Sequence, residues 1–124
     1  MSGDVVHELL SKSCVDLPKG TPALSAGEVT RLRAAVPEWQ VEGTALVREY
    51  KLSSYMAGVR WFALLASMSE AENHHPDARI TWRRVKVSFW THTVQGISEN
   101  DFILAAKLDK AWEEFQKQEE RGER

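Results

Sequence analysis

The 124-residue chain predicts an α+β fold: a four-stranded antiparallel sheet with three helices on one face, in the order α-β-β-α-β-β-α. Three observations predict it. Apolar residues recur at helical spacing in three separated stretches. Between them, apolar and polar residues alternate in two pairs of short runs joined by tight turns. Hydrophobic content of 43% and charged content of 27% suit one soluble domain with a core. Helices and strand pairs in this arrangement indicate one antiparallel sheet, with its other face open to solvent or a partner.

The first 24 residues have weak periodicity, with Pro18, Gly20 and Pro22 near their end. They read as an N-terminal arm containing one short helical turn at Val5–Leu10. Ser25-x-x-Glu28 has the spacing of a capping box, in which two side chains satisfy orphan amides at a helix start. Val29, Leu32 and Val36 follow at helical spacing until Pro37 ends the helix. Trp39 and Val41 alternate with polar neighbours up to Gly43, and Ala45–Leu52 resumes as a strand. These predict a hairpin of about 37–43 with 45–52.

Ser53 or Ser54 caps a second helix that runs to about Glu72. Tyr55, Val59, Phe62 and Ala66 form its stripe, and Trp61, Leu64, Leu65 and Met68 widen it, as in a helix packed hard against a sheet. Asn73–Asp77 breaks it. Ile80 and Trp82, then Val85, Val87 and Phe89, predict two strands about a tight Arg83-Arg84 connection, with Trp82 packing on the sheet. Gly96 opens the next break, and Ser98 caps a last helix carrying Leu104, Leu108, Trp112 and Phe115. One domain is thus expected over 25–115, followed by a charged tail, 116–124, that should fray.

Several function classes are disfavoured. Sixteen Lys and Arg against eighteen Asp and Glu give a net charge of −2 without a basic block, so neither nucleic acid nor an anionic membrane is an expected partner. No apolar stretch approaches the roughly 20 residues that span a bilayer. Asp4 and Glu8 stand where a signal peptide would carry basic residues. The single cysteine, Cys14, excludes an internal disulfide and a cysteine-rich zinc site, and it fits a reducing compartment. A cytoplasmic location is expected.

Chemistry concentrates between Glu70 and Asp101, a span holding three of the four histidines. Histidine exchanges protons most readily near neutral pH. Pro76 disfavours the α conformation for His75, so His74 and His75 leave the helix on a constrained, extended turn. Adjacent imidazoles diverge there and can address different sides of one ligand. Glu70 is placed to reach an imidazole, orienting it and supporting its cation. His92 falls on the even series with Lys86, Ser88 and Trp90, so strand parity sends it to the face opposite Val85, Val87 and Phe89.

Asp101 has capping-box spacing from Ser98, which predicts a role at the helix start. A ligand role coexists with it, because free amides gather at that turn. Trp90 is balanced between sheet packing and stacking on a flat heterocycle. Solvated histidines on a polar turn are the plain alternative for His74 and His75. A metal site is the weaker one, since helical metal pairs usually stand three or four residues apart. Cys14 has no acid-base partner in view and is not expected to be a nucleophile.

The pattern Glu70-x3-His74-His75-Pro76-x5-Trp82-x9-His92-x8-Asp101 resembles the signature of the pterin-4a-carbinolamine dehydratases, also known as dimerization cofactors of a homeodomain transcription factor. Thr91-His92, Gly96-Ile97-Ser98-Glu99, the Ser25 capping box and the Trp39 hairpin extend the resemblance over about 25–115. It implies dehydration of 4a-hydroxytetrahydropterin to quinonoid dihydropterin, in support of aromatic amino acid hydroxylases, without metal or cofactor. His74, His75 and His92 match the family's active-site histidines and Glu70 its carboxylate. Asn73, Pro76, Trp90 and Asp101 are expected around the pterin. Homodimers or homotetramers are implied, and so is the fold read above. Asn73 stands where some members have aspartate, Ala78 where some have tryptophan, and Val94 where some have cysteine. A non-catalytic interaction protein, binding a partner through the oligomerisation surface of the same fold, is the alternative.

Overall fold

The computed structural model describes residues 2–122; Met1 of the expected arm and residues 123–124 of the expected tail lie outside the described residues. Along the chain run α1 (Ser2–Leu10), α2 (Ala26–Arg33), β1 (Gln40–Glu42), β2 (Ala45–Lys51), α3 (Tyr55–Glu72), β3 (Asp77–Thr81), β4 (Arg84–Phe89), a 3-10 turn (His92–Val94) and α4 (Glu99–Glu120). The strands form one antiparallel sheet in the order β1-β2-β4-β3. From α2 onward this is the predicted α+β order, with α1 added in front.

Local chemistry sets these boundaries. Ser25 Oγ accepts the Glu28 N–H at 3.2 Å. Of the two serines that open α3, Ser54 is the cap, accepting the Ala57 N–H at 3.1 Å. The β1–β2 turn passes through Gly43 at φ 60°, a conformation open to glycine at no steric cost.

Register then builds the core. Leu46 and Tyr50 on β2 pair with Phe89 and Val85 on β4, and Ile80 on β3 pairs with Val85. Leu46, Tyr50, Val85, Val87 and Phe89 are fully buried beneath the helices. The other rows are charged, with Arg84 bonded to Glu49 at 2.9 Å and Lys86 facing Glu42 at 3.4 Å. α3 comes very close to the sheet at Gly58, where an added Cβ would stand 3.3 Å from Val85 Cγ2. α4 is buried continuously from Asn100 to Ala106, because α1 packs on it as α3 does. Tyr50 meets Trp61 and Trp112 at centroid distances of 5.1 and 4.8 Å, tying β2, α3 and α4 together.

Six local expectations change. Val5–Leu10 is not a single turn but part of a nine-residue helix, whose Leu9 is wholly buried; tertiary contact stabilises a helix too short to persist alone. The buried face of α3 is Ala57, Gly58, Trp61, Leu65 and Ser69, with Tyr55 and Leu64 exposed. Small residues let the backbone approach the sheet there, so the packed stripe is not the bulkiest one. The β3–β4 turn is Trp82-Arg83, one residue earlier than predicted, because Thr81 pairs with Arg84. Trp82 therefore sits at a hairpin tip, 71% exposed under the Arg83 guanidinium, and does not pack on the sheet. Strand parity does not govern His92, since β4 ends at Phe89. Finally, helix persists through Glu120 where fraying was expected, with Arg60 gripping Glu119 by two bonds of 3.0 and 2.8 Å.

Candidate active site

α3 ends at Asn73, whose φ of 52° is left-handed; the His74 N–H loops back to Ser69 O at 3.1 Å. Asparagine tolerates that conformation, and the bond is the Schellman-type closure of a helix. The chain then turns sharply into His74, His75 and Pro76. On the facing segment, Thr91 N–H donates to Gly96 O at 2.8 Å, pinching residues 92–95 into a tight turn that presents His92.

The two ends meet at a cleft of about 380 Å³ lined by Asn73, His74, His75, Trp90, His92 and Thr93, among others. All three predicted histidines, Asn73 and Trp90 thus converge. Glu70 and Asp101 do not line the cleft; each bonds a histidine that does. Pro76 is not among its lining residues. A larger concavity of about 740 Å³, between α2 and the β1–β2 turn, is lined mostly by apolar residues. Its lining has no histidine or carboxylate, and its Arg33 is engaged through Nε with Trp39 O at 2.8 Å. The histidines line the smaller cleft.

Each imidazole has its own environment. His74 Nε2 lies 2.5 Å from Asp101 Oδ1, and its ring stacks on Phe89 at 5.8 Å and 14°. Asp101 is completely buried. Its Oδ2 accepts the Ser98 N–H at 2.9 Å and the Thr91 hydroxyl at 3.0 Å. The helix-start role and the histidine contact therefore coexist in one carboxylate, and its burial is compensated by three donors. His75 Nε2 lies 2.7 Å from Glu70 Oε1, on the surface. An ionised carboxylate only accepts, so both bonds place a proton on Nε2 and leave Nδ1 to take or give another. His92 meets the Trp90 ring edge-on at 4.7 Å and 82°.

Sequence reasoning left open which imidazole Glu70 reaches; it is His75. The Asp101–His74 pair and the Thr91 hydroxyl were missed, and so was the contribution of Val15, Asp16 and Leu17 to the cleft wall. Burial, then the nearby Glu72 carboxylate, push the Cys14 thiol up to about 12, so thiolate is scarce at neutral pH. Among the described residues no three His, Cys, Asp or Glu side chains converge as a metal-holding group. No helix among them is long and apolar enough to cross a membrane.

The class this defines is an α+β domain with three histidines around one cleft, two of them held by carboxylates. Comparison with known proteins narrows the class. Residues 22–111 match the family model described as pterin 4 alpha carbinolamine dehydratase. A protein of Alkaliphilus metalliredigens, named "Putative pterin-4-alpha-carbinolamine dehydratase", is 36% identical over 107 residues, covering 85% of this chain and 96% of that one. A Methylococcus capsulatus protein of the same name is 38% identical over 104 residues, with coverages of 82% and 91%. The solved structure of a transcriptional coactivator/pterin dehydratase from Brucella melitensis superposes with a TM-score of 0.67 at 29% identity, over 71% of this chain and 96% of that one. The chain belongs to the pterin-4a-carbinolamine dehydratase family.

Proposed function

We propose that this protein dehydrates 4a-hydroxytetrahydropterin to the quinonoid dihydropterin by histidine acid-base catalysis. The observation that carries the reading is the convergence of His74, His75 and His92 on one cleft, with Glu70 and Asp101 bonded to His75 and His74 respectively. In the reaction the C4a–O bond breaks and the hydroxyl leaves as water with a proton from an acid. A base takes the N5 proton, and the N5–H electron pair becomes the C4a=N5 double bond. One imidazolium and one neutral imidazole supply both transfers, each worth about 10²–10⁴-fold. His75 and His92 are the acid-base pair. His74, braced by Asp101 and Phe89, holds the pterin and the arrangement, and Glu70 orients His75. Asn73 and Trp90 complete the wall, and no metal or cofactor takes part. The product suits a cell in which an aromatic amino acid hydroxylase forms the carbinolamine.

The deciding measurement is ultraviolet absorbance of the carbinolamine with and without protein, chelator present. Acceleration above the spontaneous rate, lost in a His75→Ala/His92→Ala double variant, supports the enzyme; a folded parent that gives none overturns it.

Assembly as a homodimer or homotetramer is part of the reading. Met56, Ala63 and Leu64 are exposed along α3, with the half-buried Val59 between them. Successive spacings of three, four and one residues keep the four on one helical face, as an apolar stripe. The same stripe would serve a non-catalytic partner in the alternative reading, which predicts binding without turnover.

A further inference from the structure

One wall of the histidine cleft comes from the segment between α1 and α2. Val15, Asp16 and Leu17 line it together with His74, His75 and Trp90. This stretch has no regular secondary structure, yet other elements hold its backbone closely. The Cys14 N–H donates to Glu72 Oε1 at 2.7 Å. The Val15 N–H donates to Asn100 Oδ1 at 3.0 Å, and Asn100 Nδ2 donates back to Val15 O at 2.7 Å. Asn100 is itself 5% exposed, so its amide cannot swing away cheaply. Further on, the Gly20 N–H donates to Thr93 O at 3.2 Å. The chain from 15 to 20 is thereby strung between the start of α4 and the His92 turn.

Of the residues that line the cleft, only Asp16 carries a carboxylate. It is exposed, and its side chain makes no hydrogen bond or ion pair with the described residues. The carboxylates of Glu70 and Asp101 are already bonded to imidazoles. A pterin has two ends of different character. Its C4a–N5 end needs the proton-transfer groups, while its pyrimidine edge presents two neighbouring donors, N3–H and the 2-amino group. Two parallel N–H groups match the two oxygens of one carboxylate.

We infer that Asp16 is the specificity-determining residue of this cleft, receiving the 2-amino and N3–H edge of the pterin, and that Asn100 is the positioning residue that fixes the segment carrying it. The inference rests on the pterin reading above and assigns the recognition end of the same site. Asn100 acts through Val15, and the histidines act at the opposite end of the ring.

The test uses the intact protein and two fluorescent, non-reacting probes: oxidised pterin, and lumazine, which has an oxo group in place of the 2-amino group. Dissociation constants come from fluorescence quenching. The parent should prefer pterin by about 10-fold or more, the scale of a charge-assisted hydrogen bond. Asp16→Asn should weaken pterin about 10-fold and erase that preference, while kcat/KM for the carbinolamine falls mainly through KM. Asn100→Ala should lose the same preference, and adding Asp16→Asn to it should cost little more. An unchanged pterin-to-lumazine ratio in Asp16→Asn, with a parental melting curve, overturns the inference even if Asn100→Ala fails to fold. Turnover in the parent with no Asp16 effect sinks this inference alone. An Asp16-dependent preference without turnover sinks the catalytic reading and leaves the recognition edge standing. A parent that binds neither probe overturns this inference, and the turnover assay decides the catalytic reading separately.

Discussion

Asp101 couples stability to the site through one buried carboxylate. Its carboxylate is fully buried and receives His74, Thr91 and the Ser98 amide at the start of α4. Asp101→Asn keeps the shape but removes the charge and one acceptor, leaving a buried amide facing donors it cannot all satisfy. A loss of about 2 kcal/mol in urea unfolding is expected, together with a fall in turnover from a loosened His74. A parental midpoint with lost activity would show that the helix-start bonds are dispensable. The surface pair His75–Glu70 should behave oppositely. Both groups are more than half exposed, so Glu70→Gln should leave the melt unchanged, as exposed pairs contribute little, while lowering turnover several-fold. Glu70, His74 and His75 were legible because they lie in one short run whose exit Pro76 constrains, whereas His92 was placed by a strand parity that β4, ending at Phe89, does not extend to it. Asp101's link to His74 spans 27 residues, and only the packing of α4 against the end of α3 creates it. Its capping spacing gave a sufficient local reason for the residue and so concealed the second one.

At the scale of elements, the arm is held by charge as well as by shape. Burial alone would raise the Glu72 carboxyl, but hydrogen bonding from Lys107 and from the Cys14 N–H outweighs it and holds the group below its ordinary 4.5. A depressed folded-state pKa means stabilisation fully present above the unfolded value and lost as pH falls through the folded one. Glu72→Gln should therefore unfold about 1 kcal/mol more easily than the parent at pH 7, and the gap should close as the medium is made acid enough to protonate the folded carboxyl. A gap that persists in acid, read from urea midpoints at the two pH values, would mean that packing and not charge secures the arm. Strand β4 and helix α4 were readable because alternation in the one and helical spacing in the other are strong. α1 was read only as a turn at Val5–Leu10, because a nine-residue segment is marginal as a helix until Leu9, with Val5 and Leu10 beside it, packs on the core. The β3–β4 turn slipped by one residue because Trp82 continues the alternation that actually ends at Thr81.

For the molecule as a whole, α3 divides two kinds of apolar surface. Its inner face meets β2 and α4 through Trp61, which lies 5.1 Å from Tyr50 and 4.9 Å from Trp112. Its outer face leaves Met56 and Leu64 in solvent at 55% and 38% exposure. Substitutions on the two faces should separate folding from assembly. Trp61→Ala empties the junction of sheet and helices and should cost about 3–5 kcal/mol, a large part of the stability of a domain this size. Leu64→Glu removes no core contact and puts a charge on the stripe, so its melt at low concentration should change little. In light scattering it should nonetheless move the protein from oligomer toward monomer, because a buried unpaired carboxylate opposes the interface. A parent that is monomeric at all concentrations would remove the stripe from the argument. An oligomer indifferent to Leu64→Glu would place the interface elsewhere, with the charged face of the sheet as the next surface to substitute.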